Sequence, residues 1–403
     1  MAETSELPRF PFSERADDLP PQCRALLREH RPVVRVRTNT GDTAWLVTGY
    51  EAARAVFADE RFSHARTTDP DVPRQDAPPI PASVANSWEV ARQAGLRTEI
   101  QRAMAPPRVE EMRPWVRATA DAMVAETVRQ GPPADLLPGF ASALPMAVAT
   151  WLVGLPTADA DRLTAWAHIA STTTVHPRHV LDANWAELRA YLAAQPDTPP
   201  EGVRPGLLHR LRAANAAADP ALRLSPEQLA DLAGAFLGSS FASSAGVLPL
   251  ATITLLQHPE ARARLRDEPE LTPAAVEELL RHALFIRDGL PRIATADIEV
   301  AGTLIRTGEL VLVSPDTANR DPAAFTDPDR FDIDRPRTPT HLAFGHGHNH
   351  CPATGLARME LTEAVTALVR HLPADARLGA DPDALDWRPG LQVRIPGTIP
   401  VVW

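Results

Sequence analysis

Apolar and polar positions follow a strand-like habit near both ends of the chain and a helical one between them. Val33-Val-Arg-Val36 and Trp45-Leu-Val-Thr48 cluster β-formers on either side of Asn39-Thr-Gly41-Asp42, which is turn chemistry, so a hairpin is predicted. From Tyr50 onward the spacing is helical. It predicts helices over 88–103, 107–130, 138–153, 158–172, 179–194 and 205–215, interrupted by a proline-rich stretch at 69–81 that reads as a mobile loop. Strand signals return at 298–300, 310–313, 391–395 and 399–402. The result is a mainly α chain with small β-sheets, an α+β fold class. Residues 1–20 are proline-rich and polar and predict a loosely held arm, followed by a single domain over 21–403.

The uncharged run 232–257 is long enough to span a bilayer. Four glycines and serines at 234, 238, 239 and 240, then Ser243, Ser244, Gly246 and Pro249, dilute it, and Asp231 and His258 flank it without a basic stop-transfer signal. A helix through the protein core is the prediction. Its start is well marked: Ser225 as N-cap, Pro226 in the first turn and Gln228 three residues after the cap form a capping box. Running to His258-Pro259, it would be roughly 48 Å long at 1.5 Å per residue. Thr272-Pro273 opens the next helix in the same way, and that helix carries Glu278 and Arg281.

Composition narrows the function classes. A chain of 403 residues with 44% hydrophobic content can bury a large core, and a net charge of -10 argues against nucleic acid or an anionic membrane as the main partner. All 41 basic residues are arginine, which says little about chemistry. Cys23 and Cys351 are the only cysteines, and the N-terminal residues lack a signal-peptide layout, so a cytoplasmic, reduced compartment is expected. Cys351 is then free to bind metal.

The run His341-Leu-Ala-Phe344-Gly345-His346-Gly347-His348-Asn349-His350-Cys351-Pro352 sets that cysteine behind a glycine-broken loop, at the mouth of a predicted helix. A helix N-terminus favours a thiolate, glycines let backbone approach a flat ligand, and Phe344 offers an apolar shield. From the residues alone, a zinc-type site using His346, His348 and His350 with Cys351, or a solvated His-rich loop, stays open. The segment resembles the heme-binding loop of the cytochrome P450 family, F-G-x-G-x-H-x-C-x-G, and the resemblance extends in order over about residues 30–403.

That resemblance implies a triangular-prism-like heme domain, heme b as cofactor and Cys351 as its iron ligand, with Phe344, Gly345 and His350 in the cradle. The E-x-x-R pair Glu278 and Arg281 would join Arg330, or Arg335 in its place, in a network supporting the loop. The heme carboxylates would take Arg97 and Arg292, with Gln93 and Asn349 at positions where the family usually has histidine. Pro352 removes an N–H that would otherwise face the sulfur, which should lower the reduction potential; a redox titration of Pro352→Leu should show it raised.

The family's A-G-x-[DE]-T motif falls on Ser239-Ser240-Phe241-Ala242-Ser243, so Ala242 replaces the acid that helps relay protons during oxygen activation, while Ser243 keeps a hydroxyl and Ser239 could hold a water. Three readings follow: a dioxygen-dependent monooxygenase of an apolar or aromatic metabolite with substrate- or water-assisted proton delivery, an oxidative coupling enzyme, or a non-catalytic heme protein that binds ligands. The family pocket maps to Val90, Phe236, Ser240, Phe241, Leu290 and Leu391, with Trp88 nearby and Arg287 and Asp288 at its rim. Electrons would come from a ferredoxin and its reductase, docking near Arg97, Arg102, Arg108 and Arg358, and the protein would be a monomer that binds neither nucleic acid nor membrane.

Overall fold

The computed structural model describes residues 7–16, 18–76, 84 and 87–403, apart from the side chains of Trp88 and Asn349. Contacts divide the chain into two compact units that alternate along the sequence, one taking residues 1–78, 277–351 and 387–395, the other 79–276, 352–386 and 396–403.

The first unit is built on a five-stranded sheet ordered Val33–Arg37, Thr43–Val47, Leu310–Val313, Leu290–Ala294, Phe62–Ser63. The predicted hairpin pairs Val33 with Val47 and Arg37 with Thr43, and the second and third strands run parallel. Because side chains alternate across a strand, one face presents Val33, Val47, Val311 and Val313 to a cluster with Tyr50, Val56 and Phe57. The other presents Val34, Val36, Leu46, Leu310 and Leu312 and needs a cover. Phe10 supplies it. Its N–H donates to the Arg37 carbonyl at 2.9 Å, and Arg37 N–H returns a bond to Pro8 at 2.8 Å. The described part of the predicted loose arm is therefore packed, since an uncovered apolar sheet face is costly. The described start of the predicted mobile loop is also held: Arg74 N–H reaches Asp42 at 2.9 Å, and buried Gln75 reaches the Phe10 carbonyl at 3.1 Å. The rest of that loop, 77–81, lies outside the described residues.

The strand predicted at 391–395 shrinks to an isolated bridge between Ile286 and Val393. Its partner segment turns away at Gly289, where φ is +70°, to enter the strand Leu290–Ala294.

The second unit is helical around the long helix Pro226–Gln257. Its capping box is present on both sides, with Ser225 Oγ accepting from Gln228 N–H at 3.3 Å and the Gln228 side chain accepting from Ser225 N–H at 2.9 Å. This helix alone among the described ones is long and apolar enough to cross a membrane, and 72% of its apolar window is buried in protein. Gly234 admits a neighbour: a Cβ there would lie 2.9 Å from the Trp185 ring of helix Arg178–Ala193. Trp185 in turn donates to Asp231 at 3.1 Å. Helices Pro106–Arg129, Ala143–Val153, Ala160–Ala170 and Leu207–Ala217 match their predicted positions within a few residues. A small sheet closes the unit, with Pro400–Val402 between Ala134–Asp135 and Arg377–Leu378.

The helix predicted over 88–103 is two helices, Ser87–Gln93 and Arg97–Ala103. Gly95 breaks it in the left-handed region at φ +72°, while Leu96 N–H donates back to Ala91 and Gly95 N–H to Arg92, a Schellman-type stop.

Candidate active site

The cysteine loop belongs to the first unit and is shaped by its glycines. Gly345 and Gly347 have φ of +71° and +68°, and a Cβ on Gly347 would lie 2.8 Å from Ala58 Cα and 3.1 Å from the Phe57 carbonyl. Only glycine lets the loop lie this close to the end of helix Tyr50–Ala58. Cys351 N–H donates to the Phe344 carbonyl at 2.9 Å and Gly345 N–H to Leu342 at 2.9 Å, so the loop closes on itself with the thiol half-buried. The following helix opens at Thr354, three residues beyond the cysteine. Among the described residues no group of three or more His, Cys, Asp or Glu side chains is placed to hold a metal ion, His346, His348 and His350 included.

Arg292 lies on the strand Leu290–Ala294 of the same unit and is 6% exposed. Its Nη1 donates to its neighbour's carbonyl, Pro291 O, at 2.7 Å, its guanidinium sits 5.6 Å from the Phe57 ring, and its Nε has no partner among the described residues. Burial without a carboxylate pushes its pKa down to about 10. His64 keeps open surface, yet surrounding protein and then the Arg292 charge push its pKa down to about 4. Sequence reasoning passed over His64, which carries no motif.

The supporting network forms with one exchange. Glu278, 4% exposed, receives Arg281 Nε and Nη2 at 2.8 Å each, and Arg335 Nε at 3.1 Å to both oxygens. The expected Arg330 side chain instead turns out to Asp332 at 2.9 Å, and contributes only its carbonyl, which accepts from Arg335 at 2.8 Å and Arg281 at 3.3 Å. Asp327, at φ +44°, reverses the chain so that Arg335 is the one presented to Glu278. Arg287 and Asp288, placed at a pocket rim by the sequence reading, are buried against each other, and Arg287 also binds Glu14. They tie down the N-terminal segment.

In the second unit, Gln93 and Arg97 fall on separate helices, both exposed, and Gln93 donates to Glu89 at 2.7 Å. The Asn349 side chain lies outside the described residues. Arg108 is held by Glu111 and lies 4.5 Å over the Trp151 ring, so it offers less to a docking partner than its neighbours. On the long helix Ser243 is exposed, Ala242, Phe236 and Ser240 are half-buried, and Ser239 Oγ donates to the Phe236 carbonyl at 3.4 Å. Phe241 is fully buried, edge-on to His168 with centroids 5.4 Å apart, so it packs rather than offering an open wall. In the first unit Leu391 is also buried, while Leu290 is partly so. Val90 is half-buried.

One acidic residue was missed. Glu360 on helix Thr354–His371 is 2% exposed and accepts from Ser244 Oγ at 3.0 Å. Its signal was legible: together with Glu363 it interrupts the apolar stripe Leu356, Met359, Ala364, Ala367.

The cytochrome P450 family model matches residues 198–399. The chain is 38% identical over 399 residues to mycocyclosin synthase of Mycobacterium tuberculosis (strain ATCC 25618 / H37Rv), covering 98% of each chain. It is 38% identical over 379 residues to mycinamicin IV hydroxylase/epoxidase of Micromonospora griseorubida, covering 94% of each. Among solved structures, cytochrome P450mel 107F1 with biaryl coupling reactivity superposes with a TM-score of 0.84 at 34% identity, over 98% of this chain and 99% of that one. The chain belongs to the cytochrome P450 family. It is accordingly an oxidoreductase with a heme-iron cofactor, acting on a small molecule with oxygen and redox partners, and its fold is the P450 fold predicted from the loop. The non-catalytic reading falls away. The residues present fit the cofactor: a buried guanidinium whose Nε has no partner among the described residues suits a heme carboxylate, and a half-buried thiol on a glycine-bounded loop suits iron.

Proposed function

We propose that this P450 is a cytoplasmic heme-thiolate monooxygenase of specialised metabolism, acting on an apolar or aromatic substrate, and that residues 21–403 serve as one functional domain. Cys351 would ligate the iron of heme b, with Phe344, Gly345 and His350 around it. Arg292 and Arg97 would bind the carboxylates, with Gln93 and Asn349 as uncharged companions, and Glu278, Arg281 and Arg335 would hold the loop. The bound heme would supply oxygen activation; the chain's own residues position the substrate and move protons. Val90, Phe236, Ser240 and Leu290 would contact the substrate. Ser243 and Ser239 would order water where Ala242 leaves no acid. A ferredoxin and its reductase would deliver electrons to a monomer.

The observation that carries this reading is Arg292, a buried cation whose Nε has no partner among the described residues. Such a cation is costly unless an anion arrives. The test is spectroscopic first: the reduced carbonyl complex should show a thiolate-type Soret band, and Cys351→Ala should abolish it. Labelled dioxygen should then appear in the product.

Oxidative coupling of an aromatic substrate is the second reading. Ala242 favours it, because coupling needs no oxygen insertion, and so does the similarity to a P450 with biaryl coupling reactivity. Coupled product without label would decide for it.

A further inference from the structure

Three carboxyls gather about one guanidinium in the first unit. Arg287, 4% exposed, gives Nε to Glu14 Oε2 at 2.6 Å and Nη1 to Asp288 Oδ1. Asp288 is itself 7% exposed, and its other oxygen, Oδ2, is buried with no partner among the described residues. The Asp76 carboxyl stands within hydrogen-bonding reach of Asp288, and it accepts from Asn39 Nδ2 at 2.8 Å. The other cation facing Asp288 is Arg394, which is already taken by Asp316 at 3.1 Å and by the Leu284 and Ile286 carbonyls at 2.9 and 3.0 Å. Negative charge thus outnumbers positive charge around Asp288.

An oxygen without a donor and a carboxyl beside it have one common remedy, a proton. Two carboxylates in contact cannot both stay ionised at low cost, whereas one proton between them turns repulsion into a hydrogen bond. Burial pushes the Asp288 carboxyl well above its ordinary range; Arg287 pulls it back, while Asp76 and Glu14 push with burial. Asp76 is raised as well, by burial and against Asn39.

The two carboxyls belong to segments far apart in sequence. Asp76 ends the described part of the proline-rich stretch, where the Gln75 carbonyl accepts from Asn39 N–H at 3.1 Å and Arg74 N–H reaches Asp42. Asp288 precedes Gly289, whose bend leads into the strand carrying Leu290 and Arg292. A Cβ at Gly289 would lie 3.1 Å from the Val313 carbonyl, so this bend is closely packed.

We propose that Asp76 and Asp288 share a single proton and form a pH-operated clasp that fastens the proline-rich stretch to the bend before Leu290–Ala294. Closed, Asp288 Oδ2–H donates to the Asp76 carboxylate. On opening, that O–H bond breaks, the proton leaves to solvent and two carboxylates face each other; no electron moves. The proton belongs to the pair, which titrates as a unit. Because the folded chain holds it more tightly than an ordinary carboxyl near 3.8 would, the clasp is closed at low pH and opens as pH rises through the raised folded value. It goes beyond the proposed reaction and holds for oxygen insertion and coupling alike.

Two measurements on the holoenzyme test it. Infrared difference spectra from about pH 5 to about pH 9 should show a buried carboxylic-acid band lost on raising the pH, and Asp288→Asn and Asp76→Asn should each remove that same band, because either amide donates to the carboxylate left behind. Two independent acids would each lose a band of their own. Hydrogen exchange, corrected for the intrinsic rate at each pH, should show protection of peptides containing Asn39 and Arg74 falling about 10-fold over that range in the wild type. Protection should stay constant in Asp288→Asn and be low throughout in Asp288→Ala; Asp76→Asn, which should also stay constant, serves if an Asp288 variant does not fold. Separate bands for the two acids, wild-type protection that ignores pH, or a pH dependence that persists in the amide variants overturns the proposal.

Discussion

Two buried glutamates, one in each unit, are built to opposite ends. Glu278 in the first unit meets two guanidiniums and the Asp332 N–H at 2.9 Å, so both of its oxygens are matched by donors. Glu360 in the second unit has one hydroxyl and, among the described residues, an oxygen with no partner. Enclosed charge is tolerated when it is matched and hydrogen-bonded; enclosed acid without a cation is cheaper as a neutral, proton-carrying group. The same residue type is thus held as a matched charge in one place and as a buried, titratable acid in the other.

That contrast can be broken by mutation, and the largest effect should come from the matched charge. Arg281→Ala leaves Glu278 half-matched and opens the bonds Arg281 makes to the carbonyls of Asn319 and Pro328, so a loss of about 3–5 kcal/mol is expected in denaturant melts. Glu360 should behave differently, through pH. Its carboxyl is raised in the folded state, so the stability it confers is complete below the unfolded value near 4.5 and is lost as pH rises through about 7. Against Glu360→Gln, the wild type should therefore lose up to about 3 kcal/mol between pH 4.5 and 7.5, read as converging or crossing melting temperatures. A flat difference would erase the distinction between the two glutamates. Arg335→Ala should cost about 1.5–3 kcal/mol at any pH in that range, the worth of charged hydrogen bonds. Arg330→Ala, which removes an exposed side chain paired with half-buried Asp332, should stay within about 0.5 kcal/mol in the same assay.

Local chemistry made much of this fold readable. The Ser225 and Gln228 box, the hairpin about Gly41 and the glycines before Cys351 each act over a few residues, where side chain and backbone decide together. Gly95 was equally local but was outweighed by an apolar spacing that continues on both sides of it. What stayed hidden depends on distant partners. Glu278 chooses Arg335 over Arg330 from a loop more than fifty residues away, where the turn at Asp327 decides which guanidinium faces inward. Phe10 looks like part of a polar arm until the sheet face that it covers is known. Glu360 could be seen as an acid on an apolar stripe, but its serine partner lies 116 residues earlier.

The sheet of the first unit also constrains the order of synthesis. Its first two strands leave the ribosome as a hairpin, but the strand that pairs with Thr43–Val47 on its other side is Leu310–Val313, and Leu290–Ala294 must arrive before that strand's far edge is filled. Until residue 313 emerges, Phe10 has only part of its face to cover, and the nascent chain carries an open hydrogen-bonding edge through the making of more than 250 residues. Chaperone demand should accordingly fall sharply only once that last strand is released, which ribosome-arrested chains ending before and after it can show by their susceptibility to protease.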